Sequence, residues 1–157
     1  MRLPKPDWDE VHAWLRKHFS DVRHLSVDEL QAWRGDPSRT QPVLVDIRSD
    51  PEQAVSRIGG ACLTRSEADA MAKLGALPRD TPIVTYCAVG LRSANLAREL
   101  GKAGFRDVQN FEGSIFAWAN RGLPLEGSAG PATGVHPYDD QWGVLLDAAH
   151  HETKPRA

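Results

Sequence analysis

The sequence has little cysteine and no long hydrophobic run, and these shortages exclude several classes at once. Its 157 residues contain only two cysteines, Cys62 and Cys87. Two are too few for a disulfide scaffold, and there is no Cys-x-x-Cys pair or His/Cys cluster to suggest zinc. No metal and no cofactor are expected. His12, His18, His24, His136, His150 and His151 are scattered, and the His150–His151 pair reads as tail. No apolar stretch approaches the ~20 residues needed to span a bilayer. The stretch from Met1 to Lys17 carries Asp7, Asp9, Glu10 and Arg16 and lacks the apolar core of a signal peptide. A formal charge of -2 gives no pull toward nucleic acid or an anionic membrane. The expected location is cytoplasmic, with neither nucleic acid nor membrane as a partner. Internal repeats are also missing.

A hydrophobic share of 41% and a charged share of 25% are ordinary for a globular chain. The length fits one domain able to bury its own core without a metal or disulfide staple. Apolar residues at Val11, Trp14, Leu15 and Phe19 have helical spacing. Ser26-Val27-Asp28-Glu29 has the capping-box form and opens a helix that Gly35-Asp36-Pro37 ends. Pro42 to Asp46 reads as a short buried strand, and Gly59-Gly60-Ala61 as a turn into another at Cys62-Leu63. Ser66 to Leu74 is helix-like, and Ile83-Val84-Thr85-Tyr86 is the clearest β-branched strand. Ser93 is expected to cap a helix through Leu96, Ala97, Leu100 and Ala103, which Gly104 closes. Asp107 to Asn110 is a weak last strand before a short helix through Ile115, Phe116 and Trp118. Strands alternating with helices at this spacing argue for an α/β fold with a mainly parallel sheet.

The chain divides into a helical extension over residues 1–22, a central domain over 23–126, and a tail over 127–157. Gly127 to Gly134 has the composition of a linker. Beyond it, Val135-His136-Pro137-Tyr138 and Trp142 to Leu146 are too apolar for pure disorder. They are expected to dock on their own domain or on a second copy, as in a homodimer.

Chemistry is expected at Cys87. A strand ends at Tyr86, Cys87 follows at once, and a helix begins near Ser93. In an open parallel sheet ligands bind beyond the carboxyl ends of the strands. A tight loop entering a helix N-terminus aims backbone N–H groups inward, a nest that favours an anion such as a thiolate. Gly90 permits a positive φ in mid-loop, and Arg92 adds a permanent charge. The competing reading of a lone strand-end cysteine is a buried core thiol. Cys62, after Gly-Gly-Ala, is expected to be such a thiol rather than a resolving partner for Cys87. Trp8, Trp14, Trp33, Trp118 and Trp142 are read as packing residues.

Several segments together resemble the rhodanese family, over roughly Leu25 to Glu126. Val45-Asp46-Ile47-Arg48 is similar to the family's Val-Asp-x-Arg strand end, and Gly60-Ala61 to the close of its Gly-His-Ile-Pro-Gly-Ala segment. Tyr86-Cys87-Ala88-Val89-Gly90-Leu91-Arg92-Ser93-Ala94 resembles the active loop. Gly113 to Trp118, followed by Gly122-Leu123-Pro124, resembles the family's closing segments. Val135-His136-Pro137-Tyr138 with Trp142 is similar to an extension of some bacterial single-domain members. The resemblance implies a domain of about five mainly parallel strands with helices on both faces. It implies a sulfurtransferase that moves a sulfane sulfur through a Cys87 persulfide. The donor would be thiosulfate, a polysulfide or a persulfide, and the acceptor a thiol, cyanide or a protein.

On this reading Cys87 is catalytic, and Ala88, Val89, Gly90, Leu91, Arg92 and Ser93 form the anion-binding loop. Asp46 and Arg48 support that loop from the neighbouring strand end, their alternative being a surface ion pair. Arg92 either binds the donor anion or braces the loop against a carboxylate. The chain departs from the family where Ser56-Arg57-Ile58-Gly59 replaces Gly-His-Ile-Pro, and where Ala88 and Val89 leave the mouth without polar or basic groups. Less positive charge there weakens attraction for a dianion such as thiosulfate. Two rivals remain: a binding or regulatory module of the same fold, and a phosphatase or arsenate reductase using the same cysteine. Related dual-specificity phosphatases carry one loop residue more than the six from Cys87 to Arg92, so the count favours sulfur.

Overall fold

Ile83 to Tyr86 is buried along its whole length, as a strand covered on both faces must be. In the computed structural model, which describes residues 2–156, it is the central strand of a five-stranded sheet. The elements in chain order are α1 (Trp8–His18), β1 (Arg23–Leu25), α2 (Val27–Arg34), β2 (Val43–Ile47), α3 (Asp50–Val55) and β3 (Cys62–Thr64). There follow α4 (Glu67–Leu74), β4 (Ile83–Tyr86), α5 (Leu91–Lys102), β5 (Val108–Phe111) and α6 (Ser114–Asn120). The chain then forms a hairpin of β6 (Leu125–Gly127) and β7 (Gly130–Ala132), with two short 3₁₀ turns beyond it. The sheet order is β1-β5-β4-β2-β3, and every pairing is parallel. The α/β architecture expected from the sequence is the one observed.

Alternation along the strands sends side chains into two cores. Leu44, Val84 and Tyr86 join Leu30, Trp33, Phe111 and Phe116 on the face of α2 and α6. Val45, Ile47 and Ile83 join Ala70, Leu74, Leu96 and Leu100 on the face of α4 and α5. Local signals set the helix starts: Ser26 Oγ accepts from Glu29 N–H, and Glu29 Oε1 accepts from Ser26 N–H. At the other end of α5, Gly104 has φ +101°, the left-handed geometry expected there.

Two expectations are corrected. Ser93 does not cap α5: the helix begins at Leu91 behind Gly90, whose φ of +117° makes the turn out of the loop. Ser93 thus falls inside the first turn and is fully buried. The Gly127–Gly134 stretch is not a loose linker, because Gly127 and Gly130 are paired in the tight β6–β7 hairpin.

The tail is seated on the domain itself. Ser56 Oγ donates to Gly134 O at 2.6 Å, and Arg57 and Glu126 exchange backbone bonds of 2.9 and 2.8 Å. Asn120 holds Leu145 O and Asp147 N–H through its side-chain amide. Val135, Trp142, Leu145 and Leu146 are buried in the larger core.

Candidate active site

Cys87 follows the last residue of β4 and is 1% exposed. The backbone around it is turned by α6. Ile115 N–H donates to Cys87 O at 3.2 Å, Phe116 N–H to Ala88 O at 3.1 Å, and Gly113 N–H to Val89 O at 3.3 Å. The first N–H groups of a helix have no partner within it, so the start of α6 spends its donors on the loop carbonyls. With the carbonyls drawn to that side, Gly90 N–H is free to donate to Cys87 Sγ at 3.2 Å. The first turn of α5 opens onto the same sulfur and brings the positive end of its dipole.

Side chains complete the cradle. Ser114, at φ +51°, accepts from Cys87 N–H at 3.1 Å and donates to Phe111 O at 2.7 Å. Ser93 Oγ lies 3.4 Å from Cys87 Sγ and 2.6 Å from Asn110 Oδ1. One hydroxyl proton serves one of these acceptors at a time. Asn110 in turn donates to Gly90 O at 3.1 Å, fixing the glycine carbonyl. Thr85 Oγ1 donates to Ser93 O at 2.8 Å and ties the first turn of α5 to the strand.

Arg92 braces the loop against a carboxylate: its two terminal nitrogens donate to Glu52 Oε1 and Oε2 at 2.8 and 2.9 Å. Burial opposes the arginine's charge, but the Glu52 bonds outweigh it and raise its pKa above the ordinary value. Burial would likewise push the Glu52 carboxyl up, yet the bonds from Arg92 and from Ser49 hold it down to about 2. The Arg92 guanidinium also lies 4.8 Å from the centre of the Tyr138 ring.

Asp46 and Arg48 are not a surface pair; both are fully buried. Their side-chain hydrogen bonds go to β2, α3 and its C-cap and not to residues 87–92. Arg48 donates to Asp46 Oδ2 at 2.8 Å and to Ser56 O at 2.6 Å, and so pins both ends of the α3 segment that carries Glu52. Gln53 Nε2 adds bonds to Asp46 Oδ1 and Thr64 O. Beside them, Tyr86 OH accepts from Ile58 N–H at 3.1 Å, and burial keeps its phenol protonated well above the ordinary range. Arg57 points away to Gln53 O.

Cys62 sits on β3, paired with Val45, while β4 lies on the other side of β2. Two strand spacings put its backbone roughly 10 Å from that of Thr85, and Cys87 lies two residues further on, beyond the reach of a disulfide. Among the described residues, no group of three or more His, Cys, Asp or Glu side chains is gathered as metal ligands would be.

Cys87 lines a cavity of about 220 Å³ together with Leu3, Ala88, Val89, Leu91, Arg92, Tyr138 and Trp142. Residues 26–121, which hold four of the five strands, the loop and α6, match the Rhodanese-like domain family. The chain belongs to that family.

Over 97 residues this rhodanese-like chain is 36% identical to the probable adenylyltransferase/sulfurtransferase MoeZ of Mycobacterium tuberculosis, covering 61% of this chain and 24% of that protein. Over 100 residues it is 33% identical to the thiosulfate sulfurtransferase GlpE of Shewanella oneidensis, covering 64% of this chain and 95% of that one. It spans about a quarter of the mycobacterial relative and nearly all of the other. A rhodanese-like domain protein from Staphylococcus aureus superposes with a TM-score of 0.58 at 28% identity, over 68% of this chain and 99% of that chain.

Leu3, Tyr138 and Trp142 lie outside the matched residues. The sequence reading missed them as site residues, as it missed Glu52, Asn110 and Ser114. For Glu52 a signal existed: Ser49-Asp50-Pro51-Glu52 is a helix start with Ser at the cap and Glu three residues on.

Proposed function

We propose that this protein is a sulfurtransferase that carries a sulfane sulfur on Cys87. The observation that supports this most directly is Cys87 itself, which lines a cavity and whose sulfur meets a backbone N–H and a hydroxyl. In the first step the Cys87 thiolate attacks the outer sulfur of a donor. The bond between that sulfur and the rest of the donor breaks, and its electron pair leaves with the donor remnant. Cys87 then holds a persulfide, whose terminal sulfur extends into the cavity. In the second step an acceptor thiolate or cyanide attacks the terminal sulfur, and the Cys87 thiolate departs.

The attacking thiolate before the first step and the departing thiolate after the second both put negative charge on Cys87 Sγ, where Gly90 N–H and the α5 N-terminus already point, so little reorganisation is needed. Ser93 can turn its proton from Asn110 to the sulfur as that charge develops. The six residues from Cys87 to Arg92 favour sulfur over a phosphate, which needs a wider cradle. A pure binding module would have no use for a thiol held under two donors.

Intact mass spectrometry after incubation with thiosulfate or a polysulfide tests the reading. The expected result is a gain of one sulfur atom by the wild type and none by Cys87→Ser. A wild type that gains no sulfur from any donor, or a variant that gains as much, would overturn it.

A further inference from the structure

Both ends of the chain converge on the mouth of the Cys87 cavity, although neither belongs to the family-matched stretch. At the N-terminus, Trp14 Nε1–H donates to Arg2 O at 2.8 Å, which lays the next residue, Leu3, against the opening. At the other end the docked tail delivers Tyr138 and Trp142. Tyr138 has φ +73°, a conformation a bulky residue adopts only when held. Its N–H is bonded to His136 Nδ1, and the next turn is fastened by Trp142 N–H to Asp139 Oδ1 at 2.7 Å. Leu3 is nonetheless 60% exposed and Tyr138 46% exposed, so these side chains form a rim and leave the cavity open.

Arg92 is the one cation among the lining residues, and it is already engaged. Glu52 takes both of its terminal nitrogens and the Tyr138 ring approaches its guanidinium. A dianion entering here would shed its water and find no free cation in return, which is costly. An apolar group would instead exchange water for Leu3, Val89, Leu91, Tyr138 and Trp142, which is favourable. The volume, about 220 Å³, is below that of cavities taking drug-sized ligands.

We infer that Leu3, Tyr138 and Trp142 form a specificity collar selecting a small apolar organic hydropersulfide, R–S–SH, as donor over thiosulfate. The inference rests on sulfur transfer through Cys87 and narrows it to one substrate class. The Cys87 thiolate attacks the terminal sulfur of R–S–SH, the S–S bond breaks, and R–S⁻ leaves with the electron pair. The terminal S–H passes to the enzyme, giving Cys87–S–SH; charge and atoms balance without an added oxidant or reductant. The apolar R group remains in the collar while its thiolate departs.

The test compares kcat/KM for a small alkyl hydropersulfide, generated in situ, with that for thiosulfate, cyanide being the acceptor for both. The wild type is expected to favour the hydropersulfide by about tenfold or more, the discrimination an apolar pocket typically supplies. Tyr138→Ala removes the rim without cutting into the core, and Leu3→Lys brings a free cation to the mouth. Each is expected to lower the hydropersulfide value and raise the thiosulfate value, with the folded signal by circular dichroism retained. Thiosulfate as the better donor of the wild type, or variants that change both donors alike, would overturn the collar and leave sulfur transfer standing. Failure of both donors to load Cys87 would overturn sulfur transfer, and the collar with it.

Discussion

Glu52 and Arg92 grip each other through two hydrogen bonds of 2.8 and 2.9 Å across 40 residues of sequence, with the carboxylate side chain 1% exposed. The pair joins α3 to the first turn of α5. It therefore sets where the loop from Cys87 to Arg92 ends. Breaking a fully buried pair by removing one charge costs about 3–5 kcal/mol, but the Arg92 side chain is 35% exposed and water can partly take the carboxylate's place. Glu52→Gln also keeps the shape and some of the bonds, so about 1–2 kcal/mol of unfolding free energy is expected to be lost. Slower loading of Cys87 should accompany the loss. Urea denaturation and intact-mass kinetics measure the two effects. As a contrast, Arg23→Gln breaks the exposed Arg23–Asp107 pair and should cost under about 1 kcal/mol.

The same carboxylate gives the fold an acid-side weakness. Its pKa falls from 4.5 to about 2 on folding, so the folded state prefers the charged form. The stability this confers is fully present above pH 4.5 and declines as pH falls toward about 2. The difference corresponds to about 3 kcal/mol. Unfolding free energy measured in steps from about pH 6 to about pH 3 is expected to fall, and Glu52→Gln should flatten that slope. An unchanged slope in the variant would locate the acid sensitivity elsewhere.

Much of this site was legible along the chain, and the reason lies in sequence distance. Cys87 and its six-residue loop are contiguous, bounded by a β-branched strand and an apolar-periodic helix, so local patterns were enough. Asp46 and Arg48 were found by motif, but their partners Gln53 and Ser56 sit on, and just after, a helix too short to show a period. Ser114 was read only as part of a closing segment; its bond to the Cys87 backbone exists because β5 lies next to β4. Ser93 was misread as a cap because Gly90, read as a mid-loop residue free to take a positive φ, is itself the point where the helix begins, three residues earlier. Leu3, and Tyr138 in a tail read only as docking, could not be placed at the site, since only the folded tail and α1 bring them to one opening.

Ser93→Ala separates the hydroxyl's role from mere packing. Removing a donor aimed at developing charge costs about 10²–10³ in rate where it is the main one. Here Gly90 N–H and the helix N-terminus remain, so a fall of about tenfold in the loading rate of Cys87 is expected. The variant also leaves Asn110 Oδ1 without its 2.6 Å donor, which should cost about 1–3 kcal/mol of stability. Ser93→Thr keeps the hydroxyl and should retain more activity than Ser93→Ala. Equal loss in both would mean that Ser93 acts through packing alone.

Inserting one glycine between Val89 and Gly90 tests whether loop length selects the chemistry. The carbonyls of Cys87, Ala88 and Val89 are held by three donors, the N–H groups of Ile115, Phe116 and Gly113. These anchors lie before the insertion, and the Arg92–Glu52 brace lies after it. Both ends stay fixed, so the added residue must bulge at the point where Gly90 N–H now meets Cys87 Sγ at 3.2 Å. The sulfur should lose that donor while the fold, built on the same strands and helices, persists. The expected outcome is an unchanged circular dichroism spectrum with persulfide formation reduced by at least about a hundredfold. The same variant assayed with a small aryl phosphate shows whether the widened loop accepts a tetrahedral oxyanion. Retention of wild-type sulfur loading would mean that loop length does not control this site.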